Sequence, residues 1–200
     1  MIVAKKAVAA NDLKEFIAWL KAEPGKAAQA TGGVAATSHI AGMFFQQISG
    51  TRFTLVPYRG AGPAMQDLIA GHVDMMIDPA ANTLPQVRAG RIKAFAVTAK
   101  RRLAAAPDIP TVDEAGLPGF YVENWQGFFA PKGTPATIVA KLNAAVVDAL
   151  ADSAAHARLE ELGQKIFPRE QQTPEALAAL QRAAIERWWP IIKAAGIKSE

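Results

Sequence analysis

Val-Pro-Tyr-Arg-Gly-Ala-Gly-Pro-Ala-Met-Gln-Asp-Leu-Ile-Ala-Gly-His-Val-Asp-Met-Met-Ile-Asp, residues 56–78, reads as strand, glycine loop, short helix and strand. Phe53 to Pro57 is a β-rich run. Gly60 and Gly62 let the backbone turn and approach a ligand without a Cβ in the way. Pro63 fits the first helical position, where its missing N–H costs nothing. Backbone donors at such a helix start, backed by the positive end of the dipole, favour phosphate or carboxylate. Val73 to Ile77 is almost wholly apolar and ends on Asp78, as a buried parallel strand delivering a polar residue to a loop would. Glycines also serve most strand-to-helix turns with no ligand at all, so the loop is compatible with either reading.

Outward from this unit the alternation continues. Asn11 is placed to cap a helix over residues 12–21, with Leu13, Phe16, Ile17 and Leu20 on one face. A strand over 26–31 leads through Gly32-Gly33 into a helix from Thr37 or Ser38 to about Ile48. A helix over 80–89 and a strand over 92–98 follow residue 78. Short apolar strands alternating with helices argue for a parallel α/β sheet. Beyond Lys100-Arg101-Arg102 the prolines at 107, 110 and 118 mark a crossing segment with a small helical turn around 112–115. Tyr121 to Ala130 is apolar and aromatic enough for a strand. Pro131-Lys132-Gly133-Thr134-Pro135 opens a helix to about Leu150, with Thr134 as its cap, and helices over 153–162 and 174–195 follow. The last seventy residues therefore hold three helices and at most two strands. Either residues 1–122 form one complete lobe and 123–200 hold the crossing strand and helical part of an incomplete second lobe, or the tail packs back as a helical arm.

At 200 residues, half of them hydrophobic, the chain can bury a sizeable core. The net charge of +4 is mild and spread along the sequence. With no arginine-rich arm or zinc spacing it does not point to nucleic acid, and it suits small anions. The absence of cysteine excludes disulfides, thiolate metal sites and cysteine nucleophiles. No apolar run approaches the ~20 residues of a membrane helix. Lys5 and Lys6 interrupt what would be the apolar region of a secretory leader, so residues 1–10 read as mature sequence or a truncated start.

For catalysis the sequence offers no nucleophile elbow, paired metal-ligand histidines or phosphate loop, and no cofactor or metal is expected. His156 reads as a solvated surface residue and His72 as a turn residue. His39, in the first turn of a helix behind two glycines, can donate to a carboxylate or serve in capping and packing. Asp74 and Asp78 bracket one strand. Asp78, at the end where ligands gather in open α/β sheets, is the better site candidate, with helix capping as its alternative role. Arg59 could hold a carboxylate bidentately or stay solvated. The Trp188-Trp189 pair in an amphipathic helix is expected in the core, and Trp125 on the crossing strand.

Several segments together carry a resemblance: residues 56–64, Gly-His-Val-Asp-Met-Met-Ile-Asp at 71–78, Ala-Gly-Arg-Ile-Lys-Ala-Phe-Ala-Val-Thr at 89–98, Pro-Asp-Ile-Pro-Thr-Val-Asp-Glu-Ala-Gly-Leu-Pro-Gly at 107–119, Phe-Phe-Ala-Pro-Lys-Gly-Thr-Pro at 128–135 and Ala-Ala-Gly-Ile-Lys at 194–198. In order and content the chain resembles the substrate-binding proteins of tripartite tricarboxylate transporters, the Bug receptors. The resemblance implies a periplasmic-binding-protein-like α/β fold, a type II Venus flytrap whose two lobes close on a small carboxylate. The ligand would be a di- or tricarboxylate, an amino acid or an aromatic acid, passed to membrane transporter subunits in the periplasm without catalysis. By the same resemblance the chain starts within the second lobe, with no signal peptide and without most of the first lobe's sheet. Cleft-facing positions carried over are Thr31, Gly33, Thr37, Ser38, His39, Tyr58, Arg59, Gly60 and Asp78. The family's Gly-x-Gly-Ser loop here reads Gly33-Val34-Ala35-Ala36. The alternative is an effector-sensing or protein-interaction module of the same lobe type, completed by a partner or by a homo-oligomer.

Overall fold

The computed structural model describes residues 1–194 and 196. Ala195, which the last expected helix includes, and residues 197–198 of the final resembling segment lie outside the described residues. Five strands form one sheet: β1 (Ile2–Lys5), β2 (Ala28–Thr31), β3 (Thr54–Pro57), β4 (Met75–Ile77) and β5 (Ile92–Ala96), in the order β3-β2-β4-β1-β5. β2 pairs in parallel with β3 and β4, while β1 runs antiparallel to both β4 and β5. The expected parallel sheet is thus corrected to a mixed one, because the N-terminal run, read as mature sequence or a truncated start with no strand assigned to it, is an interior strand. Ile2, Val3 and Ala4 are buried on both sides, which leaves no alternation for a reader of the sequence to find.

Helices cover both faces, as a sheet with two apolar faces requires. On one side α1 (Leu13–Ala22) and α2 (Thr37–Ser49) press Leu13, Phe16, Leu20, Ala41 and Phe45 against Ile2, Ala4, Met75, Ile77 and Phe95. On the other, α3 (Ala61–Ala70) and α4 (Ala80–Arg88) press Ala64, Met65, Leu68 and Leu84 against Val3, Ala30, Met76 and Ile92. The alternation of Ile2 and Ala4 with Val3, and of Met75 and Ile77 with Met76, is the period of two that a doubly covered strand shows. The segment between β5 and residue 122 returns to the sheet through Val97, whose N–H donates to Pro110 and whose carbonyl receives Val112. It also plugs the first core with Val112, Leu117 and Phe120.

The helix ends differ from expectation in instructive ways. Asp12, not Asn11, caps α1: its carboxylate accepts from the Glu15 N–H at 2.7 Å, and the Glu15 side chain accepts in turn from the N–H of Asn11, one residue before the cap, at 2.8 Å. α3 begins at Ala61, so Pro63 sits third rather than first, still within the turn whose N–H groups have no helical acceptor.

The C-terminal part holds α5 (Ala136–Ala151), α6 (Ser153–Glu161), a 3₁₀ turn (Arg169–Gln171) and α7 (Pro174–Ala194). Thr134 does not cap α5, because its hydroxyl donates to the Pro131 carbonyl. No strand forms over 121–130 or 165–167 among the described residues, against the expected crossing strand. Val122 makes one pair of hydrogen bonds with Thr98, and beyond it the chain joins no neighbouring strand among the described residues. The tail touches the α/β lobe on both sides. Trp188 of α7 meets Phe44 of α2 edge-on at 5.9 Å. On the other side, Arg88 of α4 donates to the carbonyls of Ala105 and Glu161. Trp189 is 53% exposed, so the tryptophan pair is not the core element that periodicity suggested. Phe128, Phe129, Ile138, Leu142 and Ile185 are exposed as well.

Candidate functional site

β2, β3, β4 and β5 all run one way, so Thr31, Tyr58, Asp78 and Thr98 follow or end strands at one edge of the sheet. This is the edge at which open α/β sheets bind ligands. β1 runs the other way, so Met1 also lies here: its nitrogen is 2.6 Å from the Asp78 carbonyl, and Asp78 N–H donates back to Met1. α2, α3 and α4 all start from this edge, and among the described residues none of the three has a side-chain cap. By contrast α1, which starts at the opposite edge, is capped by Asp12. First-turn N–H groups without a cap need another acceptor, and the macrodipole makes an anion the favoured one.

The loop after β2 and the loop after β3 lie side by side. Tyr58 N–H donates to the Thr31 carbonyl at 2.9 Å, and Gly60 N–H to the Gly32 carbonyl at 3.2 Å. Gly33, at φ +140°, and Gly60, at φ +111°, hold backbone angles that side chains disfavour, and a Cβ on Gly33 would lie 3.5 Å from the Tyr58 carbonyl. The expected cap at Thr37 or Ser38 is absent: α2 starts from Ala36, Thr37 is exposed, and the Ser38 hydroxyl turns back to accept the Gly32 N–H at 2.9 Å. Thr31 is buried, with its hydroxyl on the Gly33 carbonyl. The structure therefore brings Thr31, Gly33, Ser38, Tyr58 and Gly60 together in one backbone-bonded pair of loops.

Three of the candidates need separate description. The Tyr58 hydroxyl is turned onto α3, 2.6 Å from Asp67, which also faces His72; the hydrogen bond to Asp67, chiefly, pushes the phenol up to about 12. Only the Tyr58 backbone is therefore at the loop, and Arg59 is exposed at the rim. His39 is partly buried and its Nδ1 is enclosed with no hydrogen-bond partner among the described residues; burial lowers its pKa, which favours a neutral ring. Asp78 is 7% exposed and its Oδ2 accepts from the Asn82 amide at 2.8 Å. It caps no backbone N–H of α4, so helix capping is not its role. Burial pushes its carboxyl above the usual range, against the pull of the Asn82 hydrogen bond.

Sequence reasoning missed Asn82, Gln29 and Met1. Asn82 was signalled by its i+4 spacing from Asp78. Asp74, at the opposite sheet edge, is bound to Lys5 at 2.7 Å and to the Ala28 N–H at 2.8 Å, so the two strand-flanking aspartates do not form a pair.

The mixed α/β lobe with three uncapped helix starts gathered at one sheet edge, followed by a helical tail, has the periplasmic-binding-protein-like fold of its solved neighbours. The chain belongs to the tripartite tricarboxylate transporter family receptors, whose family profile matches residues 1–197. A UPF0065 protein of Agrobacterium vitis, from the TAR-I ttuE-ttuC' intergenic region, is 39% identical over 98% of this chain and 56% of its own length. Among solved structures, MatC of Rhodopseudomonas palustris with bound malate is 40% identical, with TM-score 0.92 over 96% of this chain and 65% of its own. The periplasmic binding protein BugD is 36% identical, with TM-score 0.92 over all of this chain and 66% of its own. The chain thus spans little more than half of that curated relative and about two thirds of the two solved structures. The family is one of receptors, not enzymes, in agreement with the lack of catalytic motifs in the sequence.

Proposed function

We propose that the protein is a periplasmic solute receptor that binds a small carboxylate at the edge formed by Thr31, Gly33, Thr37, Ser38, His39, Tyr58, Arg59, Gly60 and Asp78, and delivers it to a tripartite transporter. The observation that carries this reading is the set of three uncapped helix starts, α2, α3 and α4, at one sheet edge. A carboxylate placed between the loops after β2 and β3 accepts from first-turn N–H groups, while Asp78 offers an acceptor to a hydroxyl or ammonium on the same ligand. The malate in MatC, a relative 40% identical, supports a dicarboxylate of that size, and the periplasmic BugD supports the compartment.

Residues 1–122 supply one wall of the cleft in this reading, and 123–200 belong to the opposite lobe. The exposed Phe128, Phe129, Ile138, Leu142 and Ile185 are then the face on which the rest of that lobe seats. Closure is a population shift toward the state that touches ligand from both sides.

Thermal unfolding in a panel of small carboxylates tests the reading. A ligand at a hundred times Kd stabilises by about 2.7 kcal/mol, which for a chain of this size raises Tm by roughly 5–10 °C. An unchanged Tm with malate, succinate, citrate, aspartate and benzoate would remove the carboxylate assignment.

A further inference from the structure

Gln29 lies in the middle of β2 and is wholly buried, on the sheet face beneath α2. A polar amide at such a position needs a reason, because an apolar side chain of the same length would fill the space without desolvating two hydrogen-bonding groups. Its Oε1 has no hydrogen-bond partner among the described residues, so the amide is only half satisfied there. What the amide does achieve is specific. Nε2 donates to the Ser38 carbonyl at 2.8 Å, in the first turn of α2. Room for it comes from Gly42 on the same helix, where a Cβ would sit 2.5 Å from Oε1 and 2.7 Å from Nε2. The same Ser38 accepts the Gly32 N–H with its hydroxyl at 2.9 Å, and the Gly32 carbonyl accepts the Gly60 N–H at 3.2 Å. One buried amide therefore stands at the root of a chain of hydrogen bonds running through both glycine loops. The loop it steadies needs such an anchor, with Gly33 at φ +140°, Ala35 at φ +61° and Val34 exposed.

We propose that Gln29 is a positioning residue of the anion site, pinning the first turn of α2 and, through Ser38, holding the loop of residues 32–36 in its ligand-ready form. The inference rests on the carboxylate reading for its functional meaning, though not for its structural readout. Residues that are buried, polar and only partly satisfied are the places where a fold gives up stability for a site.

The test compares Gln29→Met, Ser38→Ala and the double variant by amide hydrogen exchange and by calorimetric titration with malate, with Gln29→Leu as a second apolar replacement. Gln29→Met is expected to keep the wild-type Tm or exceed it, since an unsatisfied buried amide is replaced by a matching apolar chain. Exchange at Gly32 and Gly60, whose N–H groups this chain of bonds holds, should accelerate, and malate should bind about tenfold more weakly, the worth of one well-made hydrogen bond. Because the effect runs through Ser38, the double variant should add little to either single change. Wild-type exchange and affinity in Gln29→Met, or full additivity with Ser38→Ala, would overturn the proposal. So would a fall in Tm for both apolar variants, which would make Gln29 a packing residue. If the wild-type chain binds no carboxylate, the receptor reading fails while the exchange data still decide whether Gln29 holds the loop.

Discussion

Ala35 holds φ +61°, the only non-glycine residue with a positive φ among those described. The left-handed region costs an L residue about 1–2 kcal/mol, more than the roughly 0.5–1 kcal/mol of chain entropy that glycine adds. Ala35→Gly should therefore stabilise the chain, by up to about 1 kcal/mol in a urea titration. Loss of stability would mean that the alanine methyl is packed rather than strained. Asp78 gives a pH-dependent counterpart. Burial raises its folded-state pKa above the ordinary 3.8, so ionising it costs stability that is absent below that value and grows as pH climbs through the raised one. Asp78→Asn should raise Tm at neutral pH, and the gain should vanish below pH ~3.8. A gain that persists unchanged at pH 3 would contradict this. These residue-scale features were partly legible: Asp78 stood at the end of an apolar run, while Gln29, a polar residue in a short strand, carried no sign that its side chain was buried.

At the scale of elements, helices α1 to α4 were readable because an apolar stripe every three to four residues survives burial on one face. β1 was not, since a strand buried on both faces is merely apolar, and the neighbouring lysines gave it the look of an interrupted leader. The expected strand over 121–130 failed for a different reason: strands exist by pairing, and local composition does not say whether a partner strand is there. The same contrast decides the cost of core and surface changes. Phe45 of α2 is fully buried, 5.3 Å from Phe120 and 6.1 Å from Phe53. Phe45→Ala should cost about 3–5 kcal/mol and lower Tm by roughly 10 °C. Phe128, 83% exposed, should tolerate Ala within about 0.5 kcal/mol in this chain. A large loss at Phe128 would show that its ring is covered in solution.

For the whole molecule, the site is a property of topology rather than of any one residue. Parallel strands place three helix starts at one edge, and the antiparallel β1 brings the chain into the sheet at that same edge. The glycines that mark two of those starts were visible in the sequence, as was the resemblance to carboxylate receptors. What was not visible is that the caps are missing at the site edge and present at the opposite end of the sheet. The most direct test is an amide-resolved NMR titration of the chain with malate. The account predicts saturable shifts concentrated on the N–H groups of residues 32–39 and 59–62 and around Asp78. Shifts confined to other surfaces, or none at tens of millimolar, a range in which even a Kd of about 1 mM would saturate, would contradict it.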